Sequence, residues 1–368
     1  MKRLTAILAV ILLLFTCACG QIPDSSTATA SSTPSATVAV FTSAPDGPSG
    51  DTQSNTLYAY FIDVGQADSA LLVYNDYTVL IDAGNVADGP DVVSFIKKLG
   101  ISSLDVVIAT HAHEDHAGGL ANVLSNLPAE KIYSPVSGYS SACFREFKEE
   151  AEKQNGIILA RQGLSWKEGD VKFNVLWPIA PENEDTNNTS IVLKVTYKSV
   201  SYLFTGDIEH DAESRLVETG ADLSANILKS GHHGSDTSSS YLFMRSVLPQ
   251  IAVISVGEGN SYGHPNQSVL DKYAQAEIKT YRTDHSGTVT VSTDGTAITV
   301  TTAGSSEELS GATATPGFSQ IQYIGNKNSK NFHDESCSSL PKEENRIYFA
   351  SRQSAVDSGY SPCGICNP

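Results

Sequence analysis

The chain has 368 residues, 24 Lys and Arg against 41 Asp and Glu, and a formal net charge of −17, enough length for one large domain and something small beside it. That balance argues against a basic surface that gathers nucleic acid by charge alone, although metal ions in a cleft supply positive potential locally. Of six cysteines, Cys17 and Cys19 lie at one end, Cys337, Cys363 and Cys366 at the other and Cys143 stands alone, which is not an even disulfide framework.

Lys2 and Arg3 precede an apolar run from Leu4 to Phe15, broken only by Thr5, with the dimensions of a signal peptide. The following Leu14-Phe15-Thr16-Cys17-Ala18-Cys19-Gly20 resembles a bacterial lipobox. Cys19, with Ala18 before it, is the expected lipidation site; Cys17, with Leu14 upstream, is the alternative, and plain cleavage with free secretion is another. Each route exports the protein, and lipidation would anchor it at the cell membrane. Residues 1–19 therefore read as a lipoprotein-like signal peptide, and 20–56, rich in Ser, Thr, Ala, Pro and Gly, as a disordered tether.

Leu57 to Ser69, Ala70 to Tyr74 and Thr78 to Asp82 are β-rich runs parted by Gly, Asn and Asp, an antiparallel start. Pro90 to Leu99 has helical spacing, with Gly100 as a stop. The apolar Val106 to Ala109 reads as a buried strand, and helix and strand signals then alternate through Leu120–Leu127, Lys131–Ser134, Cys143–Gln154 and Ile157–Ala160. A second β-rich block runs from Val171 through Ser190–Tyr197 and Val200–Thr205. A helix over Ile208–Glu218, a strand at Ala225–Lys229, a helix after Asp236 and a strand at Ile251–Val256 follow. Gly287–Ser292 and Ala297–Thr302 form a closing hairpin. Two β-rich halves, each followed by helices, fit an α/β fold of two face-to-face sheets with helices outside. The main domain is set at 57–302, a second linker at 303–319 and a small module at 320–368.

Immediately after the Val106–Ala109 strand stands His111-Ala112-His113-Glu114-Asp115-His116, three histidines and two carboxylates in six positions. Imidazole with carboxylate suits Zn²⁺, Mn²⁺ or Fe, and alternate spacing lets His111 and His113 point the same way. Four donors so close cannot all serve one tetrahedral ion that keeps an open position. Two divalent ions are the economical reading, one on His111 and His113, the other on Asp115 and His116. The competing possibility is a polar helix start capped by Asp115.

The string resembles the HxHxDH signature of the metallo-β-lactamase superfamily, which implies an αβ/βα sandwich. Phe61 to Ser69, Thr110 to Gly119, Asn187 to Leu193, Thr205-Gly206-Asp207-Ile208-Glu209 and His232-His233-Gly234-Ser235 are together similar to the soluble hydrolase domain of ComEC competence proteins. The resemblance implies that Asp82-Ala83-Gly84 supports the first metal loop and that Asp207 bridges the ions. It also departs from the superfamily: where a third histidine would complete the first metal shell, Asn187-Asn188-Thr189-Ser190 stands. The first site is then under-liganded, filled by His232 or His264, or occupied only with substrate; His232 is taken as the ligand, His233 and His264 with Asp115 as catalytic groups, and Asn188 and Ser190 as substrate-binding residues. Read alone, Asp207 would be a helix cap, His264 a turn residue, and Asn188 and Ser190 residues that hold the turn before a strand.

At the C-terminus, His333, Cys337, Cys363 and Cys366 offer the donors of a closed structural zinc site, in a module resembling the metal-binding domain of Ada-type DNA repair proteins. A disulfide with one spare thiol is the alternative. The combined expectation is an exported, metal-dependent phosphodiesterase or nuclease acting on DNA or nucleotides, the phosphodiester part implied by the ComEC resemblance. Amide, lactam or thioester hydrolysis on the same fold, and a weakly active nucleic-acid-binding surface protein, are the alternatives. No protein partner is expected.

Overall fold

The computed structural model describes residues 55–181, 185–310, 323–334, 337–342, 345–349 and 351–368. The signal peptide, the first tether, Cys17 and Cys19 lie outside the described residues. Among those described, no helix is long and apolar enough to cross a membrane.

In chain order the strands are β1 (Leu57–Phe61), β2 (Ala70–Tyr74), β3 (Tyr77–Ile81), β4 (Leu104–Ile108), β5 (Ala129–Ser134) and β6 (Ile157–Leu159). Then come β7 (Ser165–Glu168), β8 (Val171–Trp177), β9 (Val192–Tyr197), β10 (Val200–Phe204), β11 (Ile227–Lys229), β12 (Ile251–Ile254) and β13 (Lys279–Arg282). Last are β14 (Val289–Thr293), β15 (Ala297–Thr302) and β16 (Ser305–Ser310). They form a nine-stranded sheet in the order β16-β15-β14-β1-β2-β3-β4-β5-β6 and a seven-stranded sheet in the order β13-β12-β11-β10-β9-β8-β7. The inner faces meet in one apolar layer: Phe61, Leu72, Val79, Val106 and Val291 from the first sheet pack with Phe173, Val195, Tyr202 and Phe204 from the second.

Helices cover the outer faces. Over the first sheet lie α1 (Gly89–Lys98), α2 (Glu114–Ala117), α3 (Leu120–Asn126) and α4 (Ala142–Glu152), with Val92, Ile96, Leu120, Phe144 and Phe147 in their shared core. Over the second lie α5 (His210–Glu218), α6 (Tyr241–Val247) and α7 (Gln267–Gln275), which bury Leu216, Met244, Val269 and Tyr273. A one-turn α8 (Thr283–Ser286) leads into β14. α1 shows why these segments are helical. Pro90 sits in its first turn, Asp91 and the pair Lys97 and Lys98 complement the dipole, and Gly100, at φ +80, takes the turn that ends it. The αβ/βα sandwich is thus as expected.

The strand pairing adds to the expected layout and corrects one boundary. The closing hairpin forms as expected, β14 against β15, and β14 also pairs antiparallel with β1, so the last strands complete the first sheet. The second linker does not begin at 303, because β16 pairs along the whole of β15 and Leu309 packs against the inter-sheet core. A Ser- and Glu-rich run can do this at a sheet edge, where backbone hydrogen bonds carry the pairing and the side chains stay wet. Residues 311–322, the rest of that linker, lie outside the described residues. α7 and β13 were not expected at all.

The C-terminal module is a four-stranded sheet in the order β19-β17-β18-β20, made of β17 (Tyr323–Asn326), β18 (Asn331–His333), β19 (Arg346–Phe349) and β20 (Ser361–Pro362), with α9 (Arg352–Asp357) beside it. Among the described residues its own core is Phe332, Phe349, Ala355 and Tyr360. It rests on the large domain through Ile324 and through Tyr348, whose ring stacks on Tyr241 of α6.

Candidate metal centre

Strand ends on both sheets deliver the site. Asp82, one residue past β3, sits in the left-handed region at φ +58 and accepts hydrogen bonds from Thr110 N and Oγ1, both at 2.7 Å. Its Oδ2 also lies 2.8 Å from His116 Nδ1, which fixes that imidazole's orientation and turns Nε2 toward the cleft. His113 is the N-cap of α2, so Asp115 does not cap the helix and its carboxylate is left for the site.

From the second sheet, β10 runs into Thr205-Gly206-Asp207. Gly206 holds φ +51, and a Cβ there would meet the Ser190 side chain at 2.8 Å and Thr110 Cβ at 3.1 Å, so only glycine lets the two loops touch. Asp207 N donates to Ser190 Oγ at 3.0 Å, and Glu209, not Asp207, is the N-cap of α5. The capping reading of Asp207 is therefore excluded. Asp207 Oδ2 stands 3.2 Å from His116 Nε2. Past β11, His232 and His233 both occupy the left-handed region, φ +48 and +52, a backbone that costs about 1–2 kcal/mol per residue and collects at functional sites. His233 Nδ1 donates to Ser255 O at 3.0 Å, leaving Nε2 3.3 Å from Asp115 Oδ2 and 3.6 Å from Asp207 Oδ2.

Asp115, His116, Asp207 and His233 each offer a donor atom, all within 4.8 Å of one another. His116 Nε2 and Asp207 Oδ1 are buried with no hydrogen-bond partner; the 3.2 Å approach to Asp207 Oδ2 is misaligned for one. Buried polar atoms left so are rare, and two imidazoles with two carboxylates are the donor set of a divalent cation. The residues fit the metal the string implies. Electrostatics agree. Burial opposes a proton on His116, but Asp207 and Asp82 outweigh it and hold its pKa well above the ordinary range. Burial likewise opposes ionisation of Asp207, and His116 with His233 overcomes it, keeping the carboxyl well below the usual carboxylate range. His111, by contrast, is kept neutral by burial and then by the charge on His116.

The structure redistributes several expected roles. His233, not His232, enters the four-donor cluster. His232 Nε2 is 3.9 Å from Asp207, and its Nδ1 faces Glu209 at 3.4 Å and Thr237 Oγ1 at 3.2 Å. His111 Nε2 and His113 Nδ1 do approach each other, at 3.1 Å, as alternate spacing suggested. Among the described residues, though, no further His, Cys, Asp or Glu joins them in a comparably tight group. Asn188 and Ser190 are buried and committed to the protein. Asn188 Oδ1 accepts from Glu209 N at 2.8 Å, and Ser190 Oγ donates to Asn187 O at 2.7 Å. They hold the Asp207 loop and the back of His111 rather than facing substrate. His264 is where it was expected, half-buried on the cleft wall with His232 and His233.

Sequence reasoning missed a buried ion pair behind the histidines. Lys229 Nζ lies 2.8 Å from Asp68 Oδ2, and Asp68 Oδ1 is 3.5 Å from His233 Nδ1. The available signal was Lys229 itself, a charge at the end of an apolar strand. Asp82 was given only a supporting role, and its contact to His116 yields a prediction. Asp82→Ala should weaken metal binding by the large domain about 10–100-fold, because the imidazole loses the partner that orients it. Competition against a fluorescent chelator measures this, and unchanged affinity would count against the assignment.

In the module, donor atoms of His333, Cys337, Cys363 and Cys366 also gather within 4.8 Å with the cysteines as free thiols, an arrangement that suits a metal ion better than a single disulfide with a spare thiol. Backbone N–H groups of Ile365 and Cys366, then Ser339, bring the Cys363 thiol down to about 7, toward the thiolate a metal needs.

Two sheets packed face to face, helices outside, and a His/Asp cluster on loops at the strand ends define a metal-dependent hydrolase fold. Residues 62–257 match the model of the metallo-beta-lactamase superfamily, and the chain belongs to that family. Residues 312–368 match the metal binding domain of Ada. Among curated proteins, the chain is similar to ComE operon protein 3 of Bacillus subtilis (strain 168), 32% identical over 248 residues, covering 62% of this chain and 32% of that one. It is 35% identical over 227 residues to Competence protein ComA of Neisseria gonorrhoeae, covering 61% and 30%. A Hydroxyacylglutathione hydrolase of Hamiltonella defensa is 26% identical over 188 residues, covering 48% and 64%. The chain thus spans about a third of the length of its competence relatives.

Proposed function

We propose that this superfamily hydrolase is an exported phosphodiesterase or nuclease, lipid-anchored at the cell surface through Cys19 or Cys17, that acts on DNA or nucleotides. The observation that carries the hydrolytic part is the cluster of Asp115, His116, Asp207 and His233, of which Asp115, Asp207 and His233 line a cleft of about 340 Å³. The phosphodiester part rests on similarity to competence proteins along the length of the large domain. Those four residues would hold one divalent ion, Zn or Mn, and His111 with His113 a second, weaker one. Such an ion supplies Lewis acidity and a water nucleophilic at neutral pH. Asp207, ionised in spite of burial, balances the charge at the centre. Asp82 and the Ser255 carbonyl fix the rings of His116 and His233. His264 and His232 line the cleft, and either would pass a proton to the leaving oxygen.

The test offers the metal-loaded full chain single- and double-stranded DNA, bis-p-nitrophenyl phosphate, a lactam and a glutathione thioester, beside an Asp115→Ala/His116→Ala control. Phosphodiester cleavage that disappears in the control is the expected result. Thioester or lactam turnover alone would replace the reading with acyl hydrolysis, the alternative that the similarity to a hydroxyacylglutathione hydrolase favours. DNA retention without any turnover would make the chain a binding protein.

A further inference from the structure

The cleft over the His/Asp cluster is walled by rings rather than by cations. No lysine or arginine lines it among the described residues, while Tyr262 and His264 do. Tyr262 is 72% exposed and stacks on His264 with ring centroids 5.8 Å apart and planes at 26°. Behind the cleft-lining His113, Tyr139 is 37% exposed and stands edge-on to that imidazole, centroids 6.5 Å apart. A single exposed tyrosine needs no explanation. This one differs in its support. Asn260 Oδ1 accepts from Tyr262 N and His264 N, both at 3.1 Å, and Asn260 Nδ2 donates to Gly257 O at 3.0 Å and His264 O at 2.6 Å. Gly257 N in turn donates to Gln66 Oε1 at 3.1 Å, tying the loop to the first sheet. The loop is therefore ordered before any ligand arrives, and the outer face of the ring costs little further entropy to use.

We propose that Tyr262 is a stacking platform for the base beside the scissile phosphate, so that the site selects unpaired nucleic acid; this rests on the phosphodiesterase reading. A base still paired and stacked in a duplex cannot present its face to a ring at the cleft wall, whereas a single strand can, and aromatic stacking then supplies affinity where basic side chains are missing. The net charge of −17 leaves little general attraction for phosphates, which sharpens the dependence on the ring.

The experiment compares a fluorescein-labelled oligothymidylate with the same strand made abasic, measuring anisotropy and steady-state cleavage on the metal-loaded full chain. Tyr262→Ala should raise Kd and KM for oligothymidylate about tenfold at unchanged kcat, and leave the abasic strand unaffected. Tyr262→Phe should behave as the wild type, since the ring and not the hydroxyl makes the contact. If Tyr262→Ala shifts both strands alike, or neither, the proposal is overturned. Oligothymidylate that binds uncut, yet loses about tenfold in Tyr262→Ala, would overturn the hydrolytic reading and support the platform. A wild-type chain that neither binds nor cuts either strand overturns both.

Discussion

Asp207→Ala should reduce hydrolysis about a thousandfold or more and strip the large domain of metal while the C-terminal site stays loaded. The carboxylate is 2% exposed and lies between His116 Nε2 at 3.2 Å and His233 Nε2 at 3.6 Å, so no solvent group can replace it. Losing the central ligand removes about 4 kcal/mol or more of transition-state stabilisation at a site where the ion does the polarising. Metal analysis beside turnover checks both halves, and a variant that keeps its metal and more than a tenth of its rate would refute the assignment. The metal-free protein adds a pH signature. Asp207 titrates below its ordinary 3.8 in the folded state, so its contribution to stability is present above about pH 4 and lost as pH falls through the depressed value. His116 titrates above its ordinary 6.5, so its contribution is full below that pH and lost as pH rises through the raised value. The two overlap between about pH 4 and 6.5. In chelator, Asp207→Asn should lower the melting temperature most inside that window, and a deficit that is flat with pH would count against the coupling.

Cys363→Ser should remove one metal ion per chain and unfold the C-terminal module, leaving the large domain folded and its hydrolysis of a small phosphodiester within about twofold. Among the described residues the module's own core is four side chains, too little apolar surface to hold a sheet of such short strands. Structural zinc contributes on the order of 10–16 kcal/mol in isolated zinc-binding peptides, and the four donors here come from both ends of the module, so the ion is its central cross-link. Limited proteolysis would show new cleavage after residue 323 with the large domain intact. Unchanged proteolysis and metal content would mean that the cysteines do not hold an ion.

The metal string was legible because chemistry and position coincide: three imidazoles directly after a buried strand have few other uses. The sandwich was legible because its inner strands are uninterrupted apolar runs. What escaped notice has weak patterning. α7 buries only Val269 and Tyr273, and its surest signal is Asn266, whose side chain caps Ser268 N. β13 has no fully buried residue and β16 only one partly buried apolar side chain, so neither shows the alternation that marks a strand. The choice between His232 and His233 could not be read from letters at all. Adjacent residues in two left-handed steps are sorted by the backbone, and His233 is the one turned inward, 2% exposed against the Ser255 carbonyl. The two readings of Asn188 and Ser190, bracing a turn or meeting substrate, are not separable in sequence for a related reason: a short polar side chain that braces a loop and one that meets a ligand look the same.

The pairing of β1 with β14 also bears on how the molecule comes to be made. β1 sits in the interior of the nine-stranded sheet, yet one neighbour, β2, follows within ten residues and the other arrives more than two hundred residues later, Leu57 opposite Thr293. Until that stretch has been synthesised, the nascent chain carries a half-built sheet whose first strand is an open, apolar edge of the kind that recruits other chains. Closure of so long a loop is paid before the pairing rewards it, which makes this step a natural bottleneck in folding. β16, with Ser305, Ser306, Glu307 and Glu308 exposed, then serves as the polar selvage on that margin once the sheet is complete.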